Sequence, residues 1–300
     1  MMWRKSINLI TWGGLGDALL ATPALKALKE KYPEKKIRVF AHKRHFEILR
    51  NNPYIDSLLG TSFKSAPVYW LLSRLALIKI KSLNYSFSYP AENESRKAAE
   101  IIGDLLGVVL KDKRMNMYLT DGELLRGKIA ISGFNNPIVI NPNAVCFTYK
   151  EWSYEKWEEL IGKLPNYTFI QLGKKNERLL KGAVNLTGLP LRDSVAIVKS
   201  SLCYVGVDSF LAHAAASVCT PSVVLFGPSS PVVFGNEGNI NIQKELPCSP
   251  CIDMLIGSRC PYKGECMRQI TVQEVKGAIL KQLNKTGLAA SFSMEMSDEF

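Results

Sequence analysis

Two short blocks of this 300-residue chain hold residues whose types and spacing could do chemistry. The first is Gly13-Gly14-Leu15-Gly16-Asp17, set between a β-rich run and a helical one. Glycines at such a junction let the backbone turn tightly and let a ligand approach a helix N-terminus, whose unpaired N–H groups favour anions. A carboxylate beside that turn can take a proton from an incoming hydroxyl. Asp is also a common helix cap, so the sequence leaves Asp17 both roles. A dinucleotide-binding fingerprint fits poorly: Leu19 occupies the third glycine position, and the second strand ends at Ala41-His42 without an acid to hold a ribose.

The second block runs from Val205 through Gly206, Asp208, Ser209 and Phe210 to His213, and is followed by Leu225-Phe226-Gly227-Pro228. A strand ending at Asp208 and a small-residue helix starting at Ser209 place a helix N-terminus on the ligand side of an α/β sheet, where a diphosphate fits. His213 lies one turn further along the same face. On its own, a histidine there is as well explained by packing.

The elements that must carry these blocks alternate in the manner of parallel α/β layers. Strands are expected at Ile7 to Thr11, Ile37 to Ala41, Tyr85 to Tyr89, Ile138 to Asn141, Tyr167 to Leu172, Cys203 to Val207 and Ser222 to Leu225. Helices are expected at Ala18 to Lys31, Ser95 to Leu106, Ser153 to Lys163, Leu191 to Ser200 and Ser209 to Ser217. Pro23 either kinks the first helix or begins its regular part. Asp121-Gly122, Gly127, Gly133 and Asn135-Asn136-Pro137 crowd turn formers into 120–137 and mark a linker. The expectation is two doubly wound domains facing a cleft: 1–130, and 131–288 with a Cys-rich segment at 248–266, before a disordered tail at 289–300.

Composition narrows the partners. Lys+Arg 38 against Asp+Glu 27 gives +11, and 22 basic against 12 acidic residues in 1–135 put +10 of it in the first half. Such asymmetry points to an anionic partner for that half, or to plain solvation. Val68 to Ile80, with Trp70, Arg74 and Lys79 followed by Lys81, is the candidate for membrane-surface contact; its apolar residues also follow the spacing of a helix packed on its own core. No apolar run is long enough to span a bilayer, and no signal-like segment opens the chain, so a cytoplasmic protein is expected. Nucleic acid is discounted for want of an aromatic-basic motif.

Seven cysteines include the group Cys248, Cys251, Cys260 and Cys266. Four thiolates suit a structural zinc, but the second pair is spread wider than in common ribbons, so reduced packing cysteines and disulfides stay open beside it. Cys146, Cys203 and Cys219 read as core, and His42 and His45 as surface residues on a basic helix start.

The block from Leu9 through Ala18 to Ala24-Leu25-Lys26-Ala27-Leu28, with Val205 to His213 and Leu225 to Pro228, resembles glycosyltransferase family 9, the heptosyltransferases of lipopolysaccharide core assembly. The likeness runs in order to the helix ending near Leu283. It implies a GT-B fold of two Rossmann-like domains, the first for the acceptor and the second for the nucleotide sugar. It implies Asp17 as catalytic base beside Gly13, Gly14 and Gly16. Lys150, in Tyr149-Lys150-Glu151-Trp152, would meet the donor phosphate, Glu177 the ribose, Asp208 and Ser209 the diphosphate, and His213 would lie near them. Asn143 joins the donor group where the family usually has glycine; Glu151 stands for a common basic residue and Phe210 for a glycine.

The implied donor is ADP-heptose or a similar nucleotide sugar, and the implied acceptor a lipid-linked anionic saccharide at the inner membrane face. One base and no evident nucleophile or paired metal acids lead to the expectation of inverting displacement without a catalytic cofactor. The competing readings are a nucleotide-sugar epimerase of the same fold and a non-catalytic anionic-glycan-binding protein.

Overall fold

The computed structural model describes residues 6–61, 68, 71, 80–84, 95–144, 148–251 and 260–285. The chain divides into two compact units, Met1–Thr120 and Asp121–Phe300.

The first unit holds a parallel sheet of β1 (Ser6–Thr11), β2 (Lys36–Ala41), β3 (Ser57–Gly60) and β4 (Ile80–Ser82), in the order β3-β2-β1-β4. β1 and β2 pair along their whole length, Ser6 with Lys36 through Thr11 with Ala41. Parallel neighbours need crossovers, and helices Leu15–Leu20 and Thr22–Lys31 supply the first of them. Where one helix was expected there are two, because Pro23 sits in the first turn of the second, where its missing N–H costs nothing.

The second unit holds β5 (Pro137–Asn141), β6 (Thr168–Gln171), β7 (Val184–Asn185), β8 (Cys203–Val207), β9 (Ser222–Phe226) and β10 (Ile240–Gln243), in the order β10-β9-β8-β5-β6-β7. All its pairings are parallel. β8 and β9 are buried at every residue, as strands covered on both faces must be. Trp152 and Trp157 meet edge to face at 4.8 Å in the core under the helix Val272–Lys285, and the Trp152 indole N–H donates to the Ile270 carbonyl at 3.0 Å.

In both sheets the chain starts in the middle and builds first to one side, then to the other. The carboxyl ends of β1 and β4, and of β5 and β8, therefore diverge, which is where open α/β sheets bind ligands.

Several sequence expectations need correction. Residues 120–137 are not a linker throughout, since they carry the helix Asp121–Ile131. Tertiary contacts override its glycines: buried Glu123 holds the buried Arg192 guanidinium through two bonds, of 2.6 and 2.8 Å, and Arg126 pairs with Asp193 at 2.7 Å. Gly127 is what lets the helix approach Leu191–Ser200, because a Cβ there would stand 2.5 Å from the Ala196 carbonyl carbon. Cys219 is exposed at φ +59° in a turn, not in the core. His45 is not a surface residue but is fully buried. The expected strand Tyr85 to Tyr89, Cys146 and the tail at 289–300 lie outside the described residues, as do Trp70, Arg74 and Lys79. Val68 and Leu71 are exposed, while Ile80, the last residue of that stretch, opens β4.

Gly127→Ala tests the close helix contact. Alanine is the better helix former by about 1 kcal/mol, but the clash is with backbone that cannot rotate away, so a net loss of about 1–3 kcal/mol is expected in chemical denaturation.

Candidate functional site

In the first unit, β1 runs into a turn at the switch point. Gly13 has φ +93°, a region that only glycine enters cheaply, and a Cβ there would also strike the Asp17 carboxylate at 2.4 Å and the Asn84 amide at 2.8 Å. Gly14 is the N-cap of Leu15–Leu20, and its N–H donates to Asp17 Oδ2 at 2.7 Å. Asp17 is thus not the cap itself but the third helical residue, receiving the cap amide. Asn84, just after β4 and buried, accepts the Trp12 N–H at 3.3 Å. From the helix Lys43–Leu49, the Arg44 guanidinium and His45 Nε2, the latter at 3.2 Å, both reach the Gly13 carbonyl. Arg44, His45 and Asn84 are site neighbours that the sequence reading missed. Their only signal was position, since each lies just beyond the carboxyl end of a strand next to β1.

In the second unit, the carboxyl ends of β5, β8 and β9 gather the donor candidates. Asp208 follows β8 and is buried; Lys150 Nζ meets its Oδ2 at 2.6 Å, Ser229 Oγ donates to the same oxygen at 2.6 Å, and His213 Nε2 lies 3.7 Å from Oδ1. Burial alone would push the Asp208 carboxyl up, but the Lys150 charge, His213 and the two hydrogen bonds outweigh it and hold the group below its ordinary range. Burial pushes His213 down and Lys150 adds to that, against the pull of Asp208, so the imidazole stays neutral near pH 7. Ser209 is the N-cap of the helix Phe210–Ser217, and its hydroxyl donates to Asn141 Oδ1 at 3.1 Å instead of capping. The Asn141 amide in turn donates to the Leu172 carbonyl at 3.0 Å, tying β5 to the chain after β6.

A neighbouring group forms around Asn143, which accepts the Tyr154 hydroxyl at 2.7 Å. Glu151 accepts the Ala144 N–H at 3.1 Å; burial and the charge of Glu177 raise its carboxyl against that bond. Glu177 folds back against Gly173, and its Oε2 is buried without a hydrogen-bond partner. Gln171 holds this loop by donating to the Arg178 carbonyl at 2.9 Å and accepting from the Leu180 N–H at 2.8 Å. Asp17 and its glycines therefore belong to the first unit, and Asn143, Lys150, Glu177, Asp208, Ser209 and His213 to the second. Ser229 was missed there, although it directly follows the Gly227-Pro228 pair.

The four clustered cysteines are one neighbourhood. Cys266 is buried, and its thiol is pushed up by burial and by the nearness of Cys248, Cys251 and Cys260. No disulfide joins the described cysteines. Among the described residues no group of three or more His, Cys, Asp or Glu side chains is placed to hold a metal ion. The thiols share a region without forming a cage.

A chain of two parallel α/β units is the architecture of GT-B glycosyltransferases, and the solved structures it is similar to are of that kind. It matches the ADP-heptose LPS heptosyltransferase II of Escherichia coli with a TM-score of 0.70, 18% identity, and coverage of 94% of this chain and 99% of the other. It matches TibC, an iron-containing dodecameric glycosyltransferase of enterotoxigenic E. coli H10407, with a TM-score of 0.70, 17% identity, and coverage of 94% and 77%. Among sequences, lipopolysaccharide heptosyltransferase 3 of E. coli (strain K12) is 22% identical over 283 residues, 73% of this chain and 81% of the relative. The chain belongs to glycosyltransferase family 9 (heptosyltransferase), whose family model matches residues 44–256. It is a glycosyltransferase, and among its described residues no helix is long and apolar enough to cross a membrane.

The buried His45 gives the site an acid dependence. Burial pulls its imidazole down to about 4, with Arg44 and His42 adding to the pull and the Gly13 and Gly14 carbonyls opposing it. Below the ordinary value near 6.5 the unfolded chain takes up a proton that the folded chain refuses until about 4, so stability falls as pH drops through that window and is unaffected above it. The loss is on the order of 3 kcal/mol at the low end. Urea denaturation at pH 7 and pH 4.5 should show a smaller pH dependence for His45→Gln than for the unchanged chain.

Proposed function

We propose that this glycosyltransferase moves a heptose from ADP-heptose to a phosphorylated, lipid-linked saccharide of the lipopolysaccharide-core type, with inversion at the anomeric carbon. The observation that carries the donor half is the pair of half-buried Lys150 with buried Asp208 at 2.6 Å beside the N-terminus of Phe210–Ser217. An ammonium and free helix amides at a sheet switch point suit a diphosphate. Family membership and the names of the similar proteins support heptose and ADP, and the family's activity sets aside the epimerase and binding-protein readings.

In this reading Asp17 takes the proton of the acceptor hydroxyl as its oxygen bonds to the anomeric carbon. The bond from that carbon to the diphosphate breaks, and its electron pair leaves with ADP. The charge that develops there falls to Lys150 and the helix amides, which are already in place and need no reorganisation. Glu177, with a buried oxygen lacking a partner, is suited to accept a ribose hydroxyl, and Asn143 is joined to the same neighbourhood through Tyr154, which bonds it and feels the Glu177 charge. Asp208 and Ser229 hold Lys150 and the strand ends in position. No step runs through a metal, and the four cysteines are structural. Elemental analysis of protein purified without chelator distinguishes reduced thiols from thiolates closed on an ion.

Asp17→Asn separates the base from the helix-terminal role, because the Asn carbonyl can still accept the Gly14 N–H. Turnover should fall by roughly 10² or more while ADP affinity and thermal midpoint stay close to those of the unchanged chain. Full activity would reject the base. Lys150→Ala should weaken ADP binding by roughly 10-fold or more in calorimetry, the usual scale for a lost charged hydrogen bond. Unchanged affinity would remove Lys150 from the site.

A further inference from the structure

The glycine turn is held from outside by a residue that neither the reaction nor the sequence pattern calls for. His45 is 0% exposed, on a helix whose other buried side chains, Ile48 and Leu49, are aliphatic. Its Nε2 lies 3.2 Å from the Gly13 carbonyl oxygen, and its Nδ1 is buried without a hydrogen-bond partner. A carbonyl only accepts, so the proton sits on Nε2 and Nδ1 keeps a bare lone pair. An aliphatic side chain would fill the same space without that unsatisfied atom, so the imidazole is poorly explained by packing.

What its N–H fixes is a peptide plane. The Gly13 carbonyl and the Gly14 N–H belong to one peptide group and must turn together. That N–H is the donor to Asp17 Oδ2 at 2.7 Å. Gly13, at φ +93° and without a side chain, leaves this plane easier to rotate than any other residue would. Holding the carbonyl therefore aims the amide, and the amide aims the carboxylate.

We propose that His45 is a positioning residue for transfer: its Nε2–H anchors the Gly13–Gly14 peptide and so sets the orientation of the Asp17 carboxylate. The depressed imidazole pKa agrees with this, since it keeps the ring in its neutral form through the physiological range. The catalytic meaning of that orientation rests on Asp17 as base, whereas the anchoring itself does not.

Three variants test it in the full chain: His45→Leu, which has no donor; His45→Gln, whose amide nitrogen reaches near the Nε2 position; and His45→Asn, whose amide falls short. His45→Leu and His45→Asn should lower kcat by roughly 10-fold or more with donor KM within about 2-fold, since a misdirected base costs rate and not binding. His45→Gln should recover most of the lost rate. The second readout is the Gly14 amide in NMR: its hydrogen exchange should be faster in His45→Leu and His45→Asn than in the unchanged chain, and close to the unchanged chain in His45→Gln. If His45→Leu does not fold, the Asn and Gln pair carries the comparison. Equal rates in all three folded variants, or a Gly14 amide unaltered in His45→Asn, would overturn the proposal. If Asp17→Asn proves fully active, the base reading fails, while the Gly14 amide still decides whether His45 anchors the turn.

Discussion

A carboxylate buried as deeply as Asp208 cannot stand alone, and much of the second unit is arranged to answer it. Taking an isolated carboxylate out of water costs far more than a domain has to spare, so its folded state depends on a cation at contact distance and on hydrogen bonds to the remaining lone pairs. Lys150 supplies the first and Ser229 one of the second. The short turn Thr148–Lys150 that carries the lysine is anchored next to Trp152, whose ring is locked against Trp157 and whose N–H is bound to Ile270. The core beneath the sheet and the charge pair above it are one construction, because Lys150 can be held only as firmly as Trp152 is packed.

The two groups of side chains occupy equivalent places in two different sheets. In each, the first strand of the unit is central and its neighbour on one side is a later strand, so that the chain leaves them in opposite directions. The Gly13 turn and Asn84 lie at the β1–β4 divergence, and Asn141 and Asp208 at that of β5 and β8. The polar contents differ. In the first turn a backbone amide bonds the Asp17 carboxylate while an imidazole and a guanidinium hold the Gly13 carbonyl, whereas the second site holds a partly buried ion pair next to a helix N-terminus.

How much of this was legible depends on whether the signal was local. Leu191–Ser200 and Cys203–Val207 fall where their periodicity puts them, since the apolar spacing along each is itself the contact pattern. Asp17, Asp208, Ser209 and His213 stand out in the sequence as parts of distinctive runs, whereas Lys150 was singled out only through the family resemblance; their roles remain those proposed above. Asp121–Ile131 was not: its glycines spell turn, and what makes it a helix is Arg192, 69 residues from its Glu123 partner. His45 was misread for the same reason. A basic run suggests surface, and only the fold shows that one ring in it turns inward to meet a carbonyl 32 residues earlier.

The basic excess of the first half also changes meaning once the cations are located. Lys26 pairs with Asp112, Lys29 with Asp56 and Lys113 with Glu100. Lys81 and Lys31 donate instead to the Leu106 and Gly107 carbonyls, where the helix Ala98–Leu106 ends in a left-handed glycine. Ammonium groups there satisfy carbonyls that have no helical partner and meet the negative end of the helix dipole. A lysine used in this way adds to the formal charge while its proton donors are directed at the protein's own backbone, and replacing it costs stability as well as charge. Lys81 therefore cannot serve as a neutral probe of surface attraction, although its sequence position beside the apolar stretch made it look like one. The field around the first unit is therefore weaker than the total of +10 implies, because Lys26, Lys29 and Lys113 are paired with carboxylates and Lys31, Lys81 and Arg44 direct protons at backbone carbonyls.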